Sequence, residues 1–378
     1  MQLDRRGFLK MCGGFCAMAG LEVVPGFSVS AESGSDSSLS PTPPFLAKHF
    51  ERLPNGQTKC RLCPNECIRD NGGRSRCRAR ETRNGSLYSM VYGNPCVLAI
   101  DPLEKCPLFH FCKGGNGLSI ATAGCNLDCR YCQNWQFSQK APEETKNLRL
   151  TPKQVVAKAQ EYKAKSIAFF YTEPTIAFEY VRDIAEAART AGLYTVMVTA
   201  GYIQEAPLRE LLPLMSAFTV GLKGFSEEYY RDVISGSLPP VLKAIEIIAK
   251  SGRHLELVTL LVPTLNDDLK TIKAQANWIV KTIGKDIPLH FSRFVPQYKL
   301  KRLPPTPVET LNASRNAAFN AGIRFVYTGN IPGHEGNHTY CPKCRTILIE
   351  RLGFQVLKNR LAKGACPDCL TKIPGTWE

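Results

Sequence analysis

From residue 118 onward, short apolar runs of β-type composition alternate with longer segments patterned as helices. The runs predict strands at 118–123, 166–171, 194–199, 217–222, 254–262, 287–294 and 324–328. The segments between them predict helices near 151–165, 175–191, 204–213, 238–251, 267–283 and 307–321. Thr151-Pro152-Lys153-Gln154 is a helix start, with Thr as cap, Pro at the first helical position and Gln placed for a capping box. Regular strand–helix alternation implies a parallel sheet with helices outside it. Six or seven units fall short of an eightfold closure. The expected class is therefore α/β, a partial (β/α)6 TIM-like barrel with small Cys-rich metal-binding modules at both ends.

Each strand runs out into a polar or Gly/Pro-containing segment: CNLDCRYCQN, YTEP, VTAGY, GLKGF, VPTLNDD, FVPQY and YTGN in chain order. Parallel barrels carry their chemistry at that rim. The first segment is the informative one, because it holds three cysteines.

The chain has 378 residues and 16 cysteines. All but Cys12, Cys16, Cys96, Cys106 and Cys112 fall into three groups: 60/63/67/77, 125/129/132 and 341/344/366/369. Most stand in CxxC or CxxxC steps, too close for an ordinary disulfide framework and suited to metal ligation. Cys125, Cys129 and Cys132 give a C-x3-C-x2-C spacing in the loop after the first barrel strand. Thiolates so placed can wrap a compact iron–sulfur core, and three ligands on four irons leave one iron open. The competing reading is a zinc site that borrows Cys106 or Cys112. Gly124, just before Cys125, allows a sharp turn and close approach of the backbone.

Cys341-Pro-Lys-Cys344 and Cys366-Pro-Asp-Cys369 are paired knuckles of the zinc-ribbon or rubredoxin kind, with structural zinc the favoured occupant and iron the alternative. Cys60, Cys63, Cys67 and Cys77 suit zinc or a second cluster equally.

The cysteine loop, with an aromatic before its third Cys, resembles the signature of the radical S-adenosylmethionine superfamily. CNLDCRYCQN, YTEPTIAFEY and HFSRFVPQY are similar to the branch near the pyruvate formate-lyase activating enzymes and, more closely, to the radical enzyme of the AmmeMemoRadiSam system. The resemblance covers roughly residues 58–350. It implies a [4Fe–4S] cluster whose open iron chelates S-adenosylmethionine, reductive cleavage to a 5′-deoxyadenosyl radical, and hydrogen abstraction from a substrate. An external electron donor and a glycyl radical protein as substrate go with it. The activity class would be an activating-enzyme-like oxidoreductase. The alternative is an iron–sulfur electron-transfer or scaffold protein without catalysis.

The same resemblance makes Glu173 the residue that holds the cofactor's ammonium group, by a charge-assisted hydrogen bond. Thr199, Lys223, Asn266, His290 and Arg293 are further cofactor candidates on the rim, with Asp267 and Asn330 beside them. Ala200 and Gly221 depart from the Asn and Asp usual in relatives. Arg293 suits an anionic group through its paired donors. His290, in a strand, reads as well as a core histidine.

The N-terminal segment carries Arg5-Arg6 before a modest apolar stretch and Val29-Ser30-Ala31, resembling a twin-arginine export signal. The competing reading is a cytosolic tail. The expected organisation is a leader at 1–31, a linker at 32–45, a Cys-rich module at 46–95, the barrel at 96–330 and a zinc-ribbon-like module at 331–378. The formal charge of +15 suits an acidic partner. Its cations are scattered without a basic block, which disfavours nucleic acid. No apolar run reaches the roughly 20 residues of a membrane span.

Overall fold

A computed structural model describes residues 43–111 and 115–377. The leader, most of the linker and Cys112 lie outside the described residues.

The centre is an eight-stranded sheet. Its strands are β1 (Pro95–Pro102), β2 (Asn116–Thr122), β3 (Ser166–Phe169), β4 (Tyr194–Thr199), β5 (Ala217–Gly221), β6 (His254–Leu261), β7 (Leu289–Arg293) and β8 (Val326–Gly329). They lie side by side in chain order, parallel from β2 to β8, with β1 antiparallel against β2. The helices between them are α1 (Pro152–Glu161), α2 (Phe178–Thr190), α3 (Glu205–Leu211), α4 (Leu238–Lys250), α5 (Leu269–Thr282) and α6 (Val308–Asn320). The periodicity thus located every parallel strand and all six of these helices. It gave no sign of β1, whose buried positions fall every third residue rather than every second.

Local chemistry sets the helix starts. The Thr151 hydroxyl accepts the Gln154 amide at 3.3 Å, and the Gln154 side chain accepts the Thr151 amide at 2.8 Å. Helix α5 begins at Leu269 because Asp268 caps the Thr271 amide at 2.8 Å.

Alternation along each strand divides its side chains between two faces. Phe218, Val220, Leu255 and Leu257 belong to the main apolar core with the helices. Ala217 and Thr219 face inward, onto residues 103–111, which fold back under the sheet. There Leu103, Cys106, Leu108 and Phe111 pack on Ala168, Val196 and Ala217. The Thr219 hydroxyl donates to the Cys106 carbonyl at 2.6 Å. The open barrel is therefore filled from its N-terminal side by its own chain.

A buried polar network occupies the rest of that inner face. Glu256 accepts His290 Nε2 at 2.7 Å, His254 Nε2 at 2.9 Å and the His110 amide at 2.8 Å. His110 bridges the Pro374 carbonyl at 2.6 Å and the Tyr327 hydroxyl at 2.5 Å. The C-terminal module reaches the same place. Arg351 stacks over the Phe109 ring at 4.1 Å and donates to the Phe109 carbonyl, and the Thr376 amide donates to the His110 carbonyl.

Burial keeps the His110 imidazole neutral, with its pKa brought down to about 4 against the opposing pull of Glu256. The unfolded chain takes up this proton near pH 6.5 and the folded chain does not. Stability from this group is thus complete above about pH 6.5 and declines as the pH falls toward 4, by about 3 kcal/mol in all. Urea unfolding midpoints measured at pH values across that interval check the decline. A flat profile there would contradict it.

Candidate functional site

Strand β2 delivers the chain to Gly124, whose φ of +98° is one that L side chains rarely adopt. A Cβ at this position would also collide with the Cys77 carbonyl oxygen and stand 3.0 Å from Ile176. Both constraints demand glycine. The cysteine loop begins immediately after it.

That loop is fastened by its backbone. The Asp128 and Arg130 amides donate to the carbonyls of Ile234 and Val233 at 3.1 and 3.0 Å, at the end of a π-helical turn, Tyr230–Ile234. The Lys299 amide donates to the Arg130 carbonyl at 3.0 Å. Asn126 is fully buried. Its side chain donates to the Tyr202 carbonyl at 2.7 Å, and its own carbonyl accepts Asn65 at 2.7 Å. These anchors escaped sequence reasoning because each joins residues far apart in the chain. Tyr131 is buried, whereas Arg130 is exposed and serves the loop through its main chain.

Cys125, Cys129 and Cys132 are half-buried. Burial pushes the Cys125 thiol well above its ordinary pKa, with the Glu173 charge adding to the effect. Cys129 rises to about 12 through burial, against the pull of Lys223. The Leu127 amide points at Cys125 Sγ at 3.5 Å, and the Ser138 hydroxyl lies 3.1 Å from Cys132 Sγ. Near neutral pH such thiols hold their protons until a metal displaces them.

Sulfur spacing separates the three cysteine groups. A single tetrahedral ion with 2.3 Å bonds sets sulfurs about 3.8 Å apart. Among the described residues only Cys341, Cys344, Cys366 and Cys369 gather their ligand atoms within 4.8 Å of one another. Cys341 and Cys369 lie 3.5 Å apart, Cys344 and Cys366 3.6 Å. This is the donor set of one closed ion. The three sulfurs of the loop do not gather within that 4.8 Å limit, so they are not the donor set of one closed ion. Cys106 cannot serve them. It is fully buried in the inner apolar cluster and feels Asp101, Lys105 and Glu104 rather than the loop thiols. Cys60, Cys63 and Cys77 are buried, Cys67 is half-buried, and no three of these gather within 4.8 Å.

The rim candidates divide. Glu173, which is 3% exposed, accepts the Thr199 hydroxyl at 2.7 Å and the Thr175 amide at 3.1 Å on one oxygen, and the Ala200 amide at 2.8 Å on the other. Its charge acts on Cys125, so Glu173, Thr199 and the loop are together. Lys223 acts on Cys129 and Cys132 from the end of β5. Arg293, at the end of β7, donates to the Thr306 carbonyl at 2.8 Å, and Asn330 donates to the Arg293 carbonyl.

Asn266 and His290 are placed otherwise than expected. Asn266 is buried. It accepts the Val262 amide at 2.6 Å and donates to the carbonyls of Lys223 and Leu260. Its role is to pin the backbone of Lys223, and no donor or acceptor is turned to the rim. His290 lies below the rim, bonded to Glu256 and enclosed by Phe109 and Tyr327. Its side chain belongs to the buried network because Glu256 in the next strand supplies an acceptor. Asp267 accepts the Thr264 amide and shapes the same turn as Asn266.

Residues 119–274 match the model of the Radical SAM superfamily. The uncharacterized protein MJ0808 of Methanocaldococcus jannaschii is 41% identical over 329 residues, covering 86% of this chain and 98% of that protein. The pyruvate formate-lyase-activating enzyme of Clostridium pasteurianum is 26% identical over 172 residues, 42% of this chain and 67% of that protein. A domain of pyruvate-formate lyase-activating enzyme from Bacteroides vulgatus aligns with a TM-score of 0.40 and 16% identity, over 44% of this chain and all of that one. With a three-thiolate loop at the C-terminal end of β2 and an acidic residue beside its first cysteine, the chain belongs to the radical SAM superfamily, in one family with the Methanocaldococcus protein.

Proposed function

We propose that this chain uses a [4Fe–4S] cluster on Cys125, Cys129 and Cys132 to cleave S-adenosylmethionine and take a hydrogen atom from a protein substrate, in the manner of a glycyl radical activating enzyme. The observation that carries this reading is the three cysteines of one short loop at the C-terminal end of β2 with Glu173 alongside the first of them. When bound, the cluster and cofactor together supply one-electron cleavage of the sulfonium and a carbon radical able to abstract hydrogen.

The chain's own residues bind and orient. Glu173 has about four acceptor sites and gives three to Thr175, Thr199 and Ala200, so one remains for the cofactor's ammonium. Lys223 would supply positive charge against three thiolates whose charge a cluster core only partly balances. Anchors from Val233, Ile234 and Lys299 hold the loop still.

Relatives named as activating enzymes for pyruvate formate-lyase and for a sulfopropanediol dehydratase support a protein as substrate. So does an open cavity of about 350 Å³ beside the loop, lined by Asn65, Arg76, Tyr202, Arg231, Ser235 and Ser237. Arg76 there suits an acidic surface, while Arg231 is already paired with Asp232 at 2.8 Å. The C-terminal thiols hold zinc in this reading. The leader directs export of the folded, loaded chain, and fractionation checks that: full-length chain confined to the cytoplasm is the contrary result.

Anaerobic incubation with dithionite and S-adenosylmethionine should release 5′-deoxyadenosine and methionine in equal amounts. An electron carrier would release neither. With cell extract whose proteins are deuterated, deuterium should appear in the nucleoside. Label arriving only from the small-molecule fraction would move the substrate class to metabolites.

The C-terminal ion closes the underside of the barrel, since Cys341 and Cys366 share a core cluster with Phe109, Tyr327 and Trp377. Stripping it with a strong chelator, or replacing Cys366 by Ser, should expose Trp377 and red-shift its emission. Unchanged fluorescence after verified metal loss would show that the module holds without it.

A further inference from the structure

The N-terminal cysteines are not used by the mechanism above, yet they have the marks of a metal site. Cys60, Cys63 and Cys77 are each at least nine-tenths enclosed, at 6%, 8% and 7% exposure. Each receives a backbone amide from two residues further on, Leu62, Asn65 and Ala79. The same arrangement recurs at the other two groups, from Leu127 to Cys125, Asn134 to Cys132 and Asp368 to Cys366. The recurrence is geometric: in all three groups an amide two residues on is placed to donate to a sulfur that would be a metal ligand.

A second observation points to the same occupant. Arg80 is completely buried and bonded to Glu179 at 2.7 Å, but its Nη1 has no acceptor. Cys60 and Cys77 are the thiols whose charge acts on this guanidinium. A buried donor without a partner costs about 1–3 kcal/mol, and thiolate sulfur on a metal is the acceptor chemistry it lacks. Spacing argues against a single closed ion. The C-terminal sulfurs close to single-ion distance, while the N-terminal ones, like those of the 125–132 loop, do not.

We propose that Cys60, Cys63, Cys67 and Cys77 hold a second iron–sulfur cluster, complete in its protein ligands and seated directly behind the loop of the first. The two sites share a wall. The Cys77 carbonyl packs on Gly124, and Asn65, between Cys63 and Cys67, donates to the Asn126 carbonyl at 2.7 Å. The site itself does not rest on the proposed radical chemistry.

The test is acid-labile sulfide and iron in the full chain after anaerobic reconstitution. A Cys125→Ala, Cys129→Ala, Cys132→Ala chain should keep about four irons and four sulfides, half the wild-type content. Absence of sulfide, with zinc or a lone iron instead, would overturn the proposal. The half-buried Cys67, changed to Ser in the wild-type background, should also lower the sulfide by half even if the triple variant folds poorly. Unchanged sulfide there is equally contrary. In dithionite-reduced wild-type protein the two paramagnetic centres should broaden each other's signals, and the triple variant should give one narrow signal. A wild-type spectrum equal to the sum of two independent signals would refute the shared wall. Loss of nucleoside release in any of these chains bears on the radical reading alone.

Discussion

A Cys129→Ala chain is expected to release no 5′-deoxyadenosine above background while melting within a few degrees of the wild type. The separation of the two effects follows from how the loop is held. Its anchors are main-chain bonds from Asp128 and Arg130 to the Ile234 and Val233 carbonyls, and from Lys299 to the Arg130 carbonyl. None of them uses the Cys129 sulfur. Removing that sulfur leaves the scaffold standing and takes one of three protein ligands from the cluster. Iron at this site should fall accordingly. Arg130→Ala is the matched control, since the Arg130 side chain is exposed and its backbone does the fastening. That chain should keep both cluster and turnover. Nucleoside release at wild-type rate by Cys129→Ala would mean that the sulfur is not a ligand and that the loop has been misassigned.

Lys223 shows how a departure from the usual motif can be absorbed. The resemblance drawn from the motifs implies an acidic residue where this chain has Gly221. A Cβ at 221 would stand 2.7 Å from the Lys223 ammonium, which folds back over the end of β5 into the space the glycine leaves. The lysine thus comes near Cys129 and Cys132 without an acidic neighbour at 221 to neutralise it. Asn266 fixes the Lys223 main chain from the turn after β6. The net result is one more positive charge beside thiolates whose charge a cluster core only partly balances.

What could be read from the sequence was whatever repeats locally. Strand and helix positions follow from periodicity within one element, and Thr151 announces its helix within four residues. The cluster loop and the C-terminal knuckles were visible because their ligands are neighbours in the chain. Edge strand β1 was not, for its burial depends on residues 103–111 turning back beneath the sheet. His290 and Asn266 read as rim residues, whereas the structure sets His290 below the rim on Glu256 and turns Asn266 to the backbone of Lys223. Their partners, Glu256 and the Lys223 carbonyl, stand 34 and 43 residues away. The electrostatic role of a polar side chain is decided by such distant partners, which a single sequence does not display.

Glu173→Gln should weaken S-adenosylmethionine binding about 10- to 100-fold, the equivalent of one charge-assisted hydrogen bond, and leave the iron content unchanged. The carboxylate faces donors on both oxygens, with Thr199 and Thr175 on one and Ala200 on the other. An amide has one accepting oxygen. In either orientation its NH₂ group meets a backbone N–H, and turning the side chain only exchanges Thr175 for Ala200. The Thr199 hydroxyl, which accepts the Gly201 amide at 3.0 Å, keeps a second lone pair for the new NH₂, but the Thr175 or Ala200 amide still faces a donor. Folding stability should therefore drop by about 1–3 kcal/mol as well, the cost of a buried donor left facing another donor. Isothermal titration with the cofactor on reconstituted protein, beside a denaturant series, separates the two consequences. A loss of stability with unaltered affinity would make Glu173 a clamp between β3 and β4 only, and the ammonium site would have to lie elsewhere on the rim.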